Sequence, residues 1–187
     1  MATIRHSEED TRLPVAGWSL LATAPGAVAE PTLLPSDGWI AASVPGTVAG
    51  ALLAADPSAN LADIDTRDHW YRTRLIAAFS GRFTFEGLAT LCEVWLEGAK
   101  LAESRSMFMP LEIEVDLPAG AEIALCFRAL GPALVAAPRR ARWRPAMVQP
   151  NGLRWFRTSA LGAMDGWCPP VRPVGPYRPI RAIARNG

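Results

Sequence analysis

Inward-type side chains fall on every second position in five short runs between Tyr71 and Phe127. Tyr71, Thr73 and Leu75 alternate with Arg72 and Arg74; Phe83 and Phe85 form a second run; Cys92, Val94 and Leu96 form a third, alternating with Glu93, Trp95 and Glu97. Leu111, Ile113, Val115 and Leu117 alternate with Glu112, Glu114 and Asp116, and Ile123, Leu125 and Phe127 close the set. A period of two belongs to a strand with one dry face and one wet face. The pattern favours an all-β domain and predicts Leu111, Ile113, Val115, Leu125 and Phe127 buried and Glu112 and Glu114 in solvent. Seventeen prolines and fifteen glycines in 187 residues supply the turns. One short helix is expected near the N-terminus, where Thr47 is a good N-cap and the run from Val48 to Ala55 stops before Asp56-Pro57. After Phe127 comes a Pro-rich and Arg-rich connection, then pieces at residues 153–158 and a last strand near 178–183. The expectation is one all-β domain over residues 1–187, its core at about 39–183, without linker or repeat.

Net charge is +1, but it is lopsided. Residues 1–127 carry eight Lys or Arg against seventeen Asp or Glu, a net of −9; residues 128–187 carry eleven Arg against Asp165 alone, a net of +10. The arginines are interleaved with Trp, Pro, Leu and Val, so they do not form a solvated basic run suited to nucleic acid. In a sandwich, late strands return beside early ones, and the two halves are expected to neutralise each other across strands. Lys100 is the one lysine, so nearly all the cations are guanidinium forks suited to bidentate carboxylate pairing.

Cys92, Cys126 and Cys168 make an odd set with no metal or disulfide spacing, and Cys92 is expected to be a buried free thiol. Ala27-Val28-Ala29 has the look of a leader-cleavage site. The stretch before it carries Glu8, Glu9 and Asp10 and is broken by Gly17 and Pro25, so it reads as mature protein and the expected compartment is the cytoplasm. No run approaches the ~20 apolar residues of a membrane span, and no membrane partner is expected.

Candidate chemistry is sparse. Glu112 and Glu114 sit close enough for a glycosidase pair, ~5–9.5 Å, but their strand pattern makes them a solvated face. Asp63, Asp65 and Asp68 cluster in one loop, yet Arg67 sits among them and the glycine and terminal glutamate of a calcium loop are absent, so turn and cap duty is favoured. His6 and His69 are the two imidazoles; His69 is expected to pack or to make a loop hydrogen bond. There is no nucleophile elbow, phosphate loop or dinucleotide fingerprint. No cofactor and no metal are expected. Arg139-Arg140-Ala141-Arg142-Trp143-Arg144 offers guanidinium and indole together, which suits sugar stacking or an acidic polymer, although pairing with the acidic first half is favoured.

Several pieces occur in a recognisable order. Val44-Pro45-Gly46-Thr47-Val48 is followed by Asp68-His69-Trp70-Tyr71-Arg72-Thr73-Arg74-Leu75, Phe85-Glu86-Gly87-Leu88 and Val94-Trp95-Leu96-Glu97-Gly98. Ser106-Met107-Phe108-Met109-Pro110, Gly166-Trp167 and Val174-Gly175-Pro176-Tyr177-Arg178-Pro179 complete the set. The ordered set, over residues 39–180, resembles the sugar-binding domain of glycoside hydrolase family 2, most of all its β-mannosidase branch. The resemblance implies a galactose-binding-like jelly-roll β-sandwich, two antiparallel sheets packed face to face. It also implies that catalysis belongs to a separate barrel domain, which needs roughly 200–250 residues of its own. With the sequence ending at Gly187, the chain is expected to be a non-catalytic, carbohydrate-linked module, or alternatively an interaction subunit: the detached domain of a split hydrolase, or a self-associating protein.

Two departures bear on function. The family's Asn-Gly hairpin turn is Glu97-Gly98 here. In the β-mannosidase branch a Gly-Trp-Asp-Trp loop lends a Trp and an Asp to the neighbouring barrel's sugar pocket; this chain has Gly166-Trp167-Cys168-Pro169. Trp167 is retained, while Cys168 cannot accept paired hydroxyl hydrogen bonds as a carboxylate does. Trp167 either faces a pyranose ring or packs its loop onto the sandwich. Trp167, Trp143, Arg142 and Arg144 are the candidate carbohydrate contacts. An apolar surface around residues 161–170 is expected to be covered by a second copy or a protein partner.

Overall fold

The computed structural model describes residues 11–136 and 146–185. In chain order the elements are β1 (Thr11–Arg12), β2 (Trp18–Thr23), β3 (Ile40–Ala42), α1 (Val48–Ala55), β4 (Asp68–Arg74), β5 (Phe79–Phe85), β6 (Cys92–Leu96), β7 (Ala99–Ser104), β8 (Leu111–Leu117), β9 (Glu122–Phe127), α2 (Leu130–Ala136) and β10 (Ile180–Ala184). They form two antiparallel sheets, ordered β1-β10-β5-β8 and β3-β2-β4-β9-β6-β7. β10 is therefore an inner strand, placed between β1 and β5.

The alternating residues fill the space between the sheets. Tyr71, Phe83, Phe85, Cys92, Val94, Leu96, Val115, Ile123, Leu125 and Phe127 share one buried cluster. Glu112 and Glu114 face solvent, and Glu114 meets Arg185. Leu111 and Ile113 point inward but are only half-buried, which corrects their expected full burial. They lie on β8, which has a partner strand on one side only, so the core is thinner there.

The wet-face expectation also needs correcting on the central strands. Trp70, Trp95, Ala124 and Cys126 point away from the main core, yet all four are buried. Val28, Leu34 and Trp39, from the chain between β2 and β3, pack over them. Strict alternation shows one dry face; it cannot show that a loop dries the other.

α1 forms as expected. The Thr47 Oγ1 accepts from the Gly50 N–H at 3.1 Å, and the helix ends at Asp56. α2 is an addition to the expected single helix. Its seven residues are too few to show a helical period, and Pro132 falls in the first turn, where a missing N–H costs nothing. Residues 151–155 make a 3-10 turn instead of an extended piece. The turn drives Leu153 into a satellite cluster with Leu130, Leu134 and Ala163. In the β6–β7 turn, Glu97 has φ 50° and Gly98 φ 79°. Two successive left-handed residues match the twist of the hairpin, so the turn survives the loss of Asn.

The lopsided charge is resolved across strands. Arg128 pairs with Asp68 and Glu93, Arg172 with Asp65, Arg181 with Glu86 and Arg185 with Glu114. Each pair joins a late arginine to an early acid.

Candidate functional site

Asp68 and Arg128 anchor the end of the sandwich from which the closing loops depart. Asp68 is 1% exposed. Its carboxylate accepts from the Gly26 N–H at 2.9 Å, the Ala129 N–H at 2.7 Å and Arg128 Nη1 at 2.7 Å. Arg128 also reaches Glu93 at 2.7 Å, and its guanidinium lies 5.2 Å from the Trp70 ring. Burial opposes the Arg128 charge, but its bonds to Glu93 and Asp68 outweigh it and hold the group protonated. These acids are spent on structure, as is Asp65 on Arg172. Asp65 and Asp68 thus serve ion pairs in place of the turn and cap duty expected of them, while Asp63 stands at the N-cap position of the 3-10 turn over Ile64–Thr66, with its backbone carbonyl and not its side chain bonded, to the Thr66 N–H at 3.1 Å.

His69, 2% exposed, places Nε2 2.8 Å from the Ile64 carbonyl, so Nε2–H donates and Nδ1 is left buried without a partner among the described residues. Desolvation pushes its pKa below the ordinary 6.5, with Arg67 adding to the shift and the Ile64 bond and Asp68 opposing it. The unfolded chain then binds more protons between the lowered value and 6.5, so stability rises with pH through that window and falls on acidification. The melting temperature is expected to fall as pH drops below about 6.5, and His69→Gln is expected to flatten that slope. Superimposable pH slopes for the two proteins would refute the assignment. Cys92 and Cys126 are free, buried thiols whose pKa values burial raises, so neither is a thiolate nucleophile at neutral pH.

The described residues also form clefts. A cleft of about 290 Å³ between β3 and α1 is walled by Ala41, Ala42, Gly46, Gly50 and Ala51, with no ionisable group. Another, of about 250 Å³, borders Glu93, Glu103, Arg105 and Arg128. Its carboxylates are already held by Arg128 and Lys100.

The closing loop is organised by Cys168. Its sulfur accepts from the Gly162 N–H at 3.1 Å and donates to the Met164 carbonyl at 3.6 Å. Gly162, with φ 73°, lets the chain pass where a Cβ would come within 2.4 Å of the Val171 carbonyl. Arg172 braces the same loop: its side chain is 10% exposed, Nη2 donates to the Gln149 carbonyl at 3.1 Å, and Nε lies 3.4 Å from Asp65. On this frame Trp167 stands 74% exposed. It does not pack the loop onto the sandwich; its ring faces solvent. The Cys that replaces the family's acid is turned inward as a staple, a role with no sequence signature. Trp143, Arg142 and Arg144 lie outside the described residues.

Met107 is a second organising residue that the sequence did not single out beyond its motif. Its N–H donates to the Arg157 carbonyl at 2.9 Å, and its carbonyl accepts from the Tyr177 hydroxyl at 2.6 Å. Its sulfur accepts from the Ser159 N–H at 2.9 Å. The loop carrying Phe108 and Met109 is thereby sewn to the closing segment.

This fold matches a known family model, glycosyl hydrolase 2 galactose-binding domain-like, over residues 18–178. The chain belongs to that family. Among solved structures, the β-D-mannosidase from Dictyoglomus thermophilum is similar at TM-score 0.72 and 19% identity, covering 95% of this chain and 23% of that one. The β-glucuronidase of Faecalibacterium prausnitzii gives TM-score 0.57 at 12% identity, covering 97% and 32%. A putative β-galactosidase from Bacteroides fragilis gives 0.52 at 17%, covering 92% and 22%. At these identities the likeness shows the shared fold. The chain thus spans about a fifth to a third of the length of these proteins. No curated protein matches the chain. The matched region is the galactose-binding-like domain and includes no glycosidase barrel. No helix among the described residues is long and apolar enough to cross a membrane.

Proposed function

We propose that this chain is a non-catalytic, carbohydrate-linked module that offers the exposed ring of Trp167 to a glycan. The observation that carries the reading is the Trp167 side chain, 74% exposed on a loop pinned by Cys168 and Arg172. A rigid, solvent-facing indole is costly to leave bare and suits the apolar face of a pyranose. In β-mannosidases the resembling loop serves a sugar pocket. With Cys168 turned inward, contact here is dominated by stacking and not by a carboxylate. The module acts without cofactor or metal, and its partners do not include nucleic acid or membrane.

The test is binding to mannan and galactomannan by affinity electrophoresis. Trp167→Ala is expected to weaken retardation about tenfold, ~1.4 kcal/mol, with the melting temperature unchanged. Equal retardation of variant and parent would overturn the reading.

A second reading is supported by the same end of the molecule. Phe108, Met109, Met147, Trp155 and Leu161 are also large apolar side chains left exposed. Such a set suits burial against a second copy or against the catalytic chain of a split hydrolase. Light scattering across a dilution series separates the two roles. Glycan binding lost by Trp167→Ala with assembly intact assigns the ring to sugar; assembly lost assigns it to an interface.

A further inference from the structure

Pairing leaves two arginines over. Of the seven described arginines from residue 128 onward, Arg128, Arg172, Arg181 and Arg185 bind carboxylates. Arg154 lies 5.4 Å from the Trp155 ring. Arg157 and Arg178 remain, both exposed and neither with a carboxylate partner among the described residues. Met107 brings them to one place, because it bonds the Arg157 carbonyl and the Tyr177 hydroxyl, and Arg178 lies 5.5 Å from the Tyr177 ring. Phe108, next to Met107, is exposed on the same loop. The segments that build this end, residues 106–110, 151–159 and 174–179, contain no acid.

We propose that this surface binds an acidic polysaccharide through the carboxylates of its uronate residues. This names a ligand class for the carbohydrate reading above and rests on it. A planar carboxylate matches the fork of a guanidinium, and two forks engaging successive sugars of one polymer gain by avidity what one exposed pair lacks. Phe108, exposed on the loop that joins their two segments, supplies an apolar face for a sugar ring. Nucleic acid is the poorer match, since tight tracking of a phosphate backbone draws on about 6–10 basic contacts.

Affinity electrophoresis of the intact protein tests this with polygalacturonate, neutral galactomannan and single-stranded DNA at low salt. Polygalacturonate is expected to retard the protein, and Arg157→Ala with Arg178→Ala to weaken that binding about tenfold or more. Lys at both positions keeps the charge without the fork and is expected to restore only part. Arg185→Ala, beyond the opposite end of β10 from Arg178, is expected to change nothing. Undiminished binding by the double Ala variant, or DNA bound as tightly as polygalacturonate, would overturn the proposal. Galactomannan binding that depends on Trp167, without polygalacturonate binding, sinks this proposal and leaves the carbohydrate reading standing. Binding of neither glycan sinks both. If the Ala variant does not fold, full polygalacturonate binding by the folded Lys variant counts against the fork.

Discussion

Arg128→Ala is expected to destabilise the protein by about 3 kcal/mol, the low end of the cost of breaking a buried ion pair. The cost arises at Asp68. That carboxylate is 1% exposed, and without the guanidinium it keeps two backbone N–H donors but loses its counter-charge. Arg128 itself is 23% accessible at its side chain, so water screens part of the interaction and sets the estimate low in the range. Arg128→Ala also frees Glu93, which Lys100 then holds at 3.8 Å. Urea unfolding followed by tryptophan fluorescence measures the effect, with the denaturant slope unchanged. Adding Asp68→Ala to Arg128→Ala is expected to cost less than the sum of the two, because the stranded charge is gone. A loss below about 1 kcal/mol for Arg128→Ala, as for an exposed pair, would contradict this account.

Trp70→Ala is expected to cost about 3–5 kcal/mol, the range for deleting a buried indole. Trp70 has no exposed surface, tilts against Trp95 with ring centroids 6.2 Å apart, and lies under the Arg128 guanidinium. Its neighbours include Val28, Leu34 and Trp39, from a stretch of mostly irregular chain that cannot refill a cavity by a rigid-body shift. Amide exchange is therefore expected to accelerate first over residues 24–39, before the strands of either sheet. Uniform acceleration across β4, β9 and the loop would show that the loop is not a separately anchored layer.

The sandwich was legible because alternation survives wherever one face is dry, as in β5 and β8. It misled where a loop covers the second face, at Trp70, Trp95 and Cys126. Charge arithmetic was equally readable: a −9 portion and a +10 portion had to meet, and Arg128, Arg172, Arg181 and Arg185 show where. α2 and the turn at residues 151–155 were not legible, since elements of five to seven residues carry no periodic signal. At the candidate site, the sequence pointed to Trp167 but not to its exposure. That exposure depends on the inward turn of Cys168 and on Arg172 reaching Asp65 over a hundred residues away. The surplus of Arg157 and Arg178 appears only after the other arginines have found their acids.

The place of β10 bears on how the chain is born. A ribosome releases β5 and β8 long before β10, yet β10 is the strand that lies against β5 on its other flank and links it to β1. Until residues Ile180–Ala184 have left the exit tunnel, β5 keeps a bare edge, with Phe83 and Phe85 under incomplete cover. The acids that await Arg172, Arg181 and Arg185 are likewise unanswered for most of that interval. Completion of the four-stranded sheet thus waits on the emergence of β10 and is dominated by long-range closure, and nascent chains halted before Ile180 are the ones that a chaperone should hold.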